Sequence, residues 1–507
     1  MRRVTLFIFL IGFVLLRPHE IGQSGLLYPT DDYGYFAHAS SIAFGQFPSF
    51  AKEECFHADY PVAHPGPGWM ASPFVFLFSF LDRMMGAEIV QIRTPENIPL
   101  SFSLYGFVLA TSFYFWFGCY LLFRGLRHHF APAISGWTIV LMVLCQGLPI
   151  YVFVRPLSSH AYEFFLQSLM VFFLLARNGP GQTRVSRREW ALIALGLTLM
   201  VTVRFNNVPA ALIWPFLLMP AGTKAETRAL RRKIFMAAAG LVLIAAGVIF
   251  LIYLKDSAYI MRKIGVFLRV ENIFFYPKRV MHILLGIDWG LAYTAPYVLV
   301  GLAGAFLLKF PLRKKLLIAL LPMAVNFLAI MLWKTQGGYY GYRYFTTSII
   351  PLLVYPLALI MKKLKEGGHD YWRRGFFLLA LLPALSMLCF DGNTSNLSFR
   401  GVQQYFGIAG PGNDTFQMEV WEMLLFSPLQ LLWVMCRGGV FYCMHLVGAA
   451  LGLSGKFPSP ILMAYPAFQT DVFVKTLGIY LLPFVLLILA QRLERLRDNH
   501  RHENNEK

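Results

Sequence analysis

Charge is scarce in this 507-residue chain: only 14% of its residues are charged, whereas 57% are hydrophobic. A typical soluble protein has about 25% charged residues, so the composition excludes an ordinary soluble domain. Cysteine is scarce too, with six residues and no CxxC pair, which argues against a disulfide framework or a zinc site. Long apolar runs recur from end to end and predict an all-α polytopic membrane protein.

Acidic residues are outnumbered by basic ones, 26 against 45, which gives a net charge of +19. A positive charge of that size can indicate nucleic-acid binding. Here, however, the basic residues stand in short clusters between apolar runs, which is typical of membrane topology because Lys and Arg accumulate in cytoplasmic loops. We therefore expect membrane lipids and no nucleic acid as partners.

The hydropathy pattern predicts 12 membrane spans, or 14 if two further C-terminal runs form a hairpin. A transmembrane helix needs about 20 apolar residues, although several of these runs are shorter. The first run has no small-residue cleavage site after it and is expected to stay uncleaved. The predicted spans are 4–18, 99–123, 133–154, 160–176, 190–203, 207–220, 234–254, 290–308, 316–333, 346–361, 374–390 and 473–491, and the hairpin runs are 420–436 and 439–454.

A cytoplasmic N-terminus places more than half of the 45 lysines and arginines on the cytoplasmic side, so we expect both termini inside. The predicted cytoplasmic loops are 124–129, 177–188, 224–233, 309–315 and 361–374. The first loop, residues 17–98, then lies on the outer face. Its apolar run WMASPFVFLFSF (69–80) has only 12 residues, too few to cross the membrane. We expect this run to form an interfacial helix on the outer leaflet, with FAHASSIAF as a second one.

Charges of both signs are expected on the outer face. Residues 17–69 hold six acidic groups against two basic ones, whereas cations gather in the loop 255–289 and at the outer ends of spans. Such cations are either snorkelling anchors or a binding site for an anion such as a lipid phosphate. Sugar transfer from a lipid phosphate needs both signs, because a carboxylate deprotonates the acceptor hydroxyl while cations stabilise the departing phosphate.

Four segments carry a resemblance to a known superfamily. They are TDDYGYFAHASSIAFGQFPS, HPGPGWMASPFVFLFSFL, LLGIDWGLAYTAPYVLVGLAG (284–304) and WKTQGGYYGYRYFTTSIIPLLVYPLAL (333–359). In order and spacing they resemble GT-C-fold glycosyltransferases that use polyprenyl-phosphate sugars, which include protein O-mannosyltransferases and the lipid A aminoarabinose transferase. In that superfamily an acidic pair opens an amphipathic helix, and a Pro-Gly-aromatic turn starts a second one.

The resemblance implies a GT-C-like catalytic module over residues 1–362, in the inner membrane of a bacterium, with its active site on the periplasmic face. A C-terminal transmembrane region, 363–507, would follow, with an outer polar loop at 391–418 and a cytoplasmic tail at 492–507. The implied partners are a polyprenyl-phosphate sugar donor and a glycan, lipid or protein acceptor. The sugar would be transferred with inversion at its anomeric carbon.

The resemblance also implies catalytic roles. Asp31 would be the base or its metal-binding equivalent, with Asp32 beside it; the alternative is a solvated helix start. Many relatives carry a second acidic residue between spans three and four, where this chain reads RPLSSHAYEFF. His160 and Glu163 are the only substitutes there and share one helix face. A divalent metal therefore stays an open possibility, with Asp31 as its ligand.

The remaining candidates would bind substrate. For His57, Tyr60 and His64 the alternative is that their loop packs over the first helix. For Trp289 the alternative is a place in an aromatic belt at the membrane interface. The donor-phosphate candidates are Arg155, Arg204, Arg262, Lys263, Arg269, Lys278, Arg279 and Arg343, and the other substrate-binding candidates are His57, Tyr60, His64, Trp289 and Tyr342.

Two other functions stay open. A transporter or flippase of lipid-linked saccharides would need polar groups near the bilayer midplane, whereas the charges here collect at outer ends of spans. A ligase that transfers a whole glycan from a lipid pyrophosphate would use similar outer arginines.

Overall fold

A computed structural model describes part of the chain, all of it within one compact unit that comprises Met1–Met387 and Gly410–Leu431. Residues 368–507 lie outside the described part, as does the first predicted span, so the expectations for them stay predictions. The described ranges are 31–47, 63–86, 102–148, 151–152, 156–178, 186–218, 291–309, 312–332 and 343–367, with isolated positions between 236 and 284.

The described residues are mostly helical and contain no strand, which confirms the all-α class for this part of the chain. Short 3-10 turns occur at Phe205–Asn207 and Ile350–Leu353. The helices are α1 (Asp31–Ala43), α2 (Pro65–Met84), α3 (Phe102–Leu126), α4 (Pro132–Leu144), α5 (His160–Asn178), α6 (Arg187–Val203), α7 (Val208–Leu217), α8 (Leu291–Thr294), α9 (Pro296–Ala305), α10 (Leu312–Leu332), α11 (Arg343–Ile349) and α12 (Val354–Glu366).

Two helical stretches in the described part are long and apolar enough to cross a membrane. One is α3, whose 25 residues extend about 37 Å, more than the roughly 30 Å of a hydrocarbon core. The other runs through α11, its 3-10 turn and α12, over Thr346–Glu366. The other predicted spans do not meet this criterion within the described residues or lie outside them, so the full polytopic bundle stays a prediction.

Two predicted spans are broken where they contact each other. The span 133–154 stops as α4 at Leu144, and the span 290–308 is divided at Ala295, between α8 and α9. The two breaks meet, because the N–H of Tyr297 in the first turn of α9 donates to the carbonyl of Cys145 at 3.1 Å. Pro296 supplies no N–H of its own and therefore suits the first position of α9.

The core is built around α5, which packs against α3, α6 and α11, while α2 packs against α1, α3 and α6. A polar contact fixes the start of α5 beside α3, where Thr111 Oγ1 donates to the carbonyl of Pro156 at 2.6 Å. The aromatic rings of Phe107 and Tyr162 meet edge to face at 6.0 Å. The start of α5 is thereby held from several sides.

Helix α2 is longer than the 12 apolar residues predicted for it: it has 20 residues and begins at Pro65. The sequence Pro-Gly-Pro-Gly therefore forms its first turn, whereas a turn before the helix was expected. Proline is favoured at a first helical position because its missing N–H would have no partner there. Pro73 leaves the carbonyl of Trp69 without its usual donor, and Ser72 Oγ donates to that oxygen at 2.8 Å.

The two faces of α2 are inverted relative to a water-soluble helix. Its buried residues include Ser72, Ser79 and Asp82. Its exposed residues are mainly apolar, with Arg83 in the last turn, and include Phe76, Leu77, Phe80, Leu81 and Met84, which are between 41% and 81% exposed. A contiguous exposed apolar face is typical of a membrane or protein interface, as expected of an interfacial helix.

Asp82 at the end of α2 caps the start of α3. Its Oδ1 accepts from the N–H of Phe102 at 2.6 Å, and its Oδ2 accepts from the N–H of Ser103 at 2.9 Å and from the Ser103 hydroxyl. Asp82 is completely buried. The first N–H groups of a helix have no partner within it, and their positive partial charge favours a carboxylate.

We expect Asp82→Ala to destabilise the protein by about 1–3 kcal/mol, because it leaves buried N–H groups of α3 without an acceptor. Thermal denaturation of the detergent-purified chain measures this. The matched control is Lys362→Gln, whose side chain is 45% exposed and whose exposed ion pair with Glu366 contributes little. Equal melting temperatures for Asp82→Ala and the control would contradict the capping role.

Candidate functional site

A buried arginine marks the junction of α6 and α7. Arg204 follows the last residue of α6 in an extended conformation, with φ −156° and ψ 127°, and the chain then turns into the 3-10 segment. Its side chain enters the core and is 5% exposed. Because this side chain is buried among the described residues, Arg204 does not act as a snorkelling anchor.

The guanidinium of Arg204 contacts three residues of the start of α5. Nε donates to Ser159 Oγ at 3.0 Å, and Nη2 lies 3.2 Å from His160 Nε2. Nη1 forms an ion pair with Glu163 Oε2 at 3.4 Å. These contacts span one turn of α5, so the planar guanidinium is held in a fixed orientation.

Glu163 is completely buried and accepts hydrogen bonds on both carboxylate oxygens. Thr347 Oγ1 donates to Oε2 at 2.6 Å, and Ser348 Oγ donates to Oε1 at 2.5 Å. Both donors belong to α11. The carboxylate therefore ties α5, α6 and α11 together, and its position in the first turn of α5 is favoured by the helix dipole.

His160, the other predicted catalytic substitute, is 1% exposed and lies between Arg204 and an aromatic ring. The rings of Tyr151 and His160 have their centroids 4.6 Å apart. The Ser158 hydroxyl donates to the backbone carbonyl of Tyr151 at 3.1 Å, which holds the backbone of that residue. The imidazole is thus a positioned member of the buried cluster.

Helix α2 begins against the end of α6, which brings His64 near Arg204. A Cβ added at Gly66 would lie 2.4 Å from the backbone nitrogen of Val203, so glycine is required for this approach. Burial, together with the nearby charges of Arg204 and His38, lowers the pKa of His64 to about 4. The imidazole of His64 is therefore neutral at neutral pH.

The same first turn of α2 fixes α1. A Cβ added at Gly68 would lie 2.5 Å from the Cβ of His38. The Nε2 of His38 lies 3.0 Å from the carbonyl oxygen of Ala63, and burial lowers the pKa of His38 to about 4. Asp31 and Asp32 are the first two residues of α1, and helical periodicity places position 31 on the face that contains position 38.

Of the predicted site residues, the structure brings together His160, Glu163, Arg204 and His64. The predicted common face of His160 and Glu163 is confirmed, since both contact the same guanidinium. Asp31, Asp32 and Arg343 belong to described helices, but their side chains lie outside the described part. The remaining candidates also lie outside it: Arg155, Arg262, Lys263, Arg269, Lys278, Arg279, His57, Tyr60, Trp289 and Tyr342.

Several members of the cluster were missed by sequence reasoning: Ser159, Thr347, Ser348 and, on α1, His38. The available signal was a pair of small hydroxyl residues within an otherwise apolar run, in SSHAY and TTSII. Within the described ranges, no three His, Cys, Asp or Glu side chains are grouped closely enough to hold a metal ion. The expectation of a metal at Asp31 stays untested.

No protein-family model and no curated protein matches this chain. The site combines a fixed guanidinium, a fully hydrogen-bonded carboxylate and a neutral imidazole, beside a helix that opens with two carboxylate residues. In such a set the guanidinium is suited to recognising an anion, and a carboxylate at the start of the helix is suited to accepting a proton.

We expect Gly66→Ala to destabilise the protein by about 1–3 kcal/mol, since the added methyl overlaps backbone atoms of α6 that have little freedom to move. Gly240→Ala is the matched control, because a Cβ there meets nothing within 4 Å. Melting temperatures of the purified variants measure the difference. A Gly66→Ala protein as stable as Gly240→Ala would show that α2 does not approach α6 this closely.

We expect Glu163→Gln and Arg204→Gln each to cost about 3–5 kcal/mol, because each leaves the other charge buried and unbalanced. The double variant restores neutrality, so its loss should be smaller than the sum of the single losses. Thermal denaturation of the four proteins completes this cycle. Strictly additive losses would argue that the two charges do not interact.

Proposed function

We propose that the chain is a membrane glycosyltransferase that uses a polyprenyl-phosphate sugar. The acceptor hydroxyl oxygen attacks the anomeric carbon of the sugar, and the bond from that carbon to the phosphate oxygen breaks. Polyprenyl phosphate leaves with the bonding electron pair. The hydroxyl proton passes to the carboxylate of Asp31, and the anomeric carbon is inverted.

The observation that carries this proposal is the contact series from Arg204 to α1. Arg204 lies beside the start of α2, and the same turn of α2 holds the helix that begins with Asp31 and Asp32. Cation and carboxylate residues thus belong to helices that pack at a common seam. This supports a site in which the cation binds a phosphate and the carboxylate accepts the proton of a hydroxyl.

The apolar outer face of α2 supports a membrane-surface location. A polyprenyl donor keeps its chain in the bilayer and presents its phosphate at the headgroup level. An interfacial helix with Phe76, Leu77 and Phe80 facing outward would lie at that level. The four segments that resemble polyprenyl-phosphate-dependent enzymes point to the same donor class.

The contacts of Glu163 assign it a supporting role in this proposal. Because both carboxylate oxygens already accept hydrogen bonds, Glu163 acts as a positioning residue that orients Arg204. Arg204 and the predicted cations of the 255–289 loop then stabilise the phosphate as its charge develops. A lysine at 204 would keep the charge but lose the fork geometry of the guanidinium.

A transporter of lipid-linked saccharides is the second candidate. The buried ion pair of Glu163 and Arg204 favours it, because ionisable residues inside helix bundles often belong to transport pathways. The pair lies at helix ends, however, at the first turn of α5 and just past α6. Its position is therefore better suited to a site at the membrane surface.

The test compares cell-envelope glycans by mass spectrometry in a strain that lacks the protein and carries one variant at a matched membrane level. Wild type should restore one missing sugar. Asp31→Asn should reduce that modification by about 10²–10⁴-fold, as expected for loss of a general base. Lys362→Gln, at an exposed position on α12, is the control and should behave as wild type.

Complete restoration by Asp31→Asn would reduce the acidic pair to a helix cap and overturn the catalytic assignment. Transport would then become the better interpretation. A lost sugar that Asp32→Asn restores but Asp31→Asn does not would support Asp31 as the base, and the missing mass would identify the sugar.

A further inference from the structure

A second charged cluster lies at the opposite end of α5. Arg177 belongs to the last turn of this helix, whose first turn holds Glu163. The 19 residues of α5 extend about 28 Å, close to the roughly 30 Å of a hydrocarbon core. If the first cluster lies at one headgroup level, Arg177 therefore lies near the other.

Two aromatic rings and a carbonyl hold the guanidinium of Arg177. Its central carbon lies 5.1 Å from the centroid of the Trp190 ring and 5.6 Å from that of Phe173. Nη1 donates to the carbonyl of Leu218 at the end of α7. Nη2 is buried, and among the described residues none accepts a hydrogen bond from it.

Lys315 of α10 adds a second cation to this cluster. Its Nζ donates to Asn178 Oδ1 at 3.0 Å, next to Arg177 in the chain. Burial lowers the pKa of Lys315, and the charge of Arg177 lowers it further. Burial likewise lowers the pKa of Arg177 to about 10. Both cations are half-buried and close enough to repel each other.

One carboxylate opposes these two cations in the described part of the chain. Glu189 of α6 raises the pKa of Arg177, but its side chain also accepts from the N–H of Ser186 in the capping box of α6. Two positive charges against one negative leave a net positive charge. An anion that contacts the exposed parts of both cations would relieve their repulsion.

The surface beside the cations is apolar. A shallow cleft lies between α5, α10 and the 3-10 turn before α12. Leu174 and Leu316 line it, one turn before Arg177 and directly after Lys315. Tyr355 lines another side. Cations at the rim of an apolar cleft complement a ligand that carries its phosphate on a hydrocarbon chain.

We propose that Arg177 and Lys315 bind the phosphate of an anionic phospholipid whose acyl chain lies along this cleft. The apolar lining of the cleft favours a lipid over free phosphate. So does the position of Arg177 at the far end of α5 from the first cluster, near the opposite headgroup level. The leaflet would be the cytoplasmic one, since residues 177–188 and 309–315 are predicted cytoplasmic loops. The site is separate from the proposed sugar transfer and does not require it.

The test uses the full-length chain in lipid bilayer discs made from phosphatidylcholine alone or with phosphatidylglycerol. Native mass spectrometry counts the lipids retained, and thermal denaturation measures stabilisation. Phosphatidylglycerol should raise the melting temperature of wild type. Lys315→Gln should weaken its retention about tenfold, as expected for loss of a charge-assisted contact. The control is Lys362→Gln, another cation at a predicted cytoplasmic helix end, and it should retain phosphatidylglycerol as wild type does.

Arg177→Gln also removes the contacts of Arg177 with Leu218 and with the rings of Trp190 and Phe173, so its effect is not specific to lipid binding. Lys315→Gln is therefore the variant that decides the test. Equal retention of phosphatidylglycerol by wild type and Lys315→Gln would overturn the proposal. So would equal stabilisation by inorganic phosphate, which would identify a free-anion site. Rescue of retention by Lys315→Arg, which keeps the charge, would support it.

Discussion

The buried ion pair of Arg204 and Glu163 is the constraint on which the rest of the described structure depends. Two charges removed from water are stable only when their hydrogen-bonding capacity is met by fixed neighbours. Ser159, from the chain before α5, and two hydroxyls of α11 supply the hydrogen bonds that these charges need. The consecutive helices α5 and α6 and the distant α11 must therefore meet at one point, with little freedom of rotation.

The constraint extends to α1 through two glycines. Gly66 allows α2 to begin against the end of α6, directly beside Arg204, and Gly68 allows the same turn to contact α1 at His38. The orientation of α1 thus depends on a helix–helix seam as well as on its own loop. If Asp31 is the base, its position relative to the phosphate is set by packing two turns away.

Part of this arrangement was readable from the sequence. The helical spacing of His160 and Glu163 predicted a common face, and Arg204 stood out as a cation at the outer end of a span. The donors to Glu163 were not readable, because Thr347 and Ser348 lie more than 180 residues away along the chain. Nor was the role of Asp82, whose partners begin 20 residues later.

The predicted helix boundaries were wrong where a local sequence rule competed with tertiary packing. Pro-Gly-Pro-Gly is a turn signal in isolation, yet here proline begins α2 and the glycines allow close helix contacts. Pro296 signals a helix boundary in the apolar run 290–308, but the sequence does not show that the N–H of Tyr297 finds its acceptor at the end of α4. Such contacts depend on the tertiary structure and carry no periodic signal.

The distribution of polar groups along α5 bears on the choice between enzyme and transporter. Charges occupy its two ends, whereas its middle holds an amide whose partners are fixed: Gln167 Oε1 accepts from Trp214 Nε1 at 3.1 Å, and Nε2 lies 3.7 Å from Met200 Sδ. A midplane transport site needs polar groups that exchange partners with the substrate. The middle of α5 instead ties this helix to α6 and α7, which favours a static scaffold with chemistry at its end.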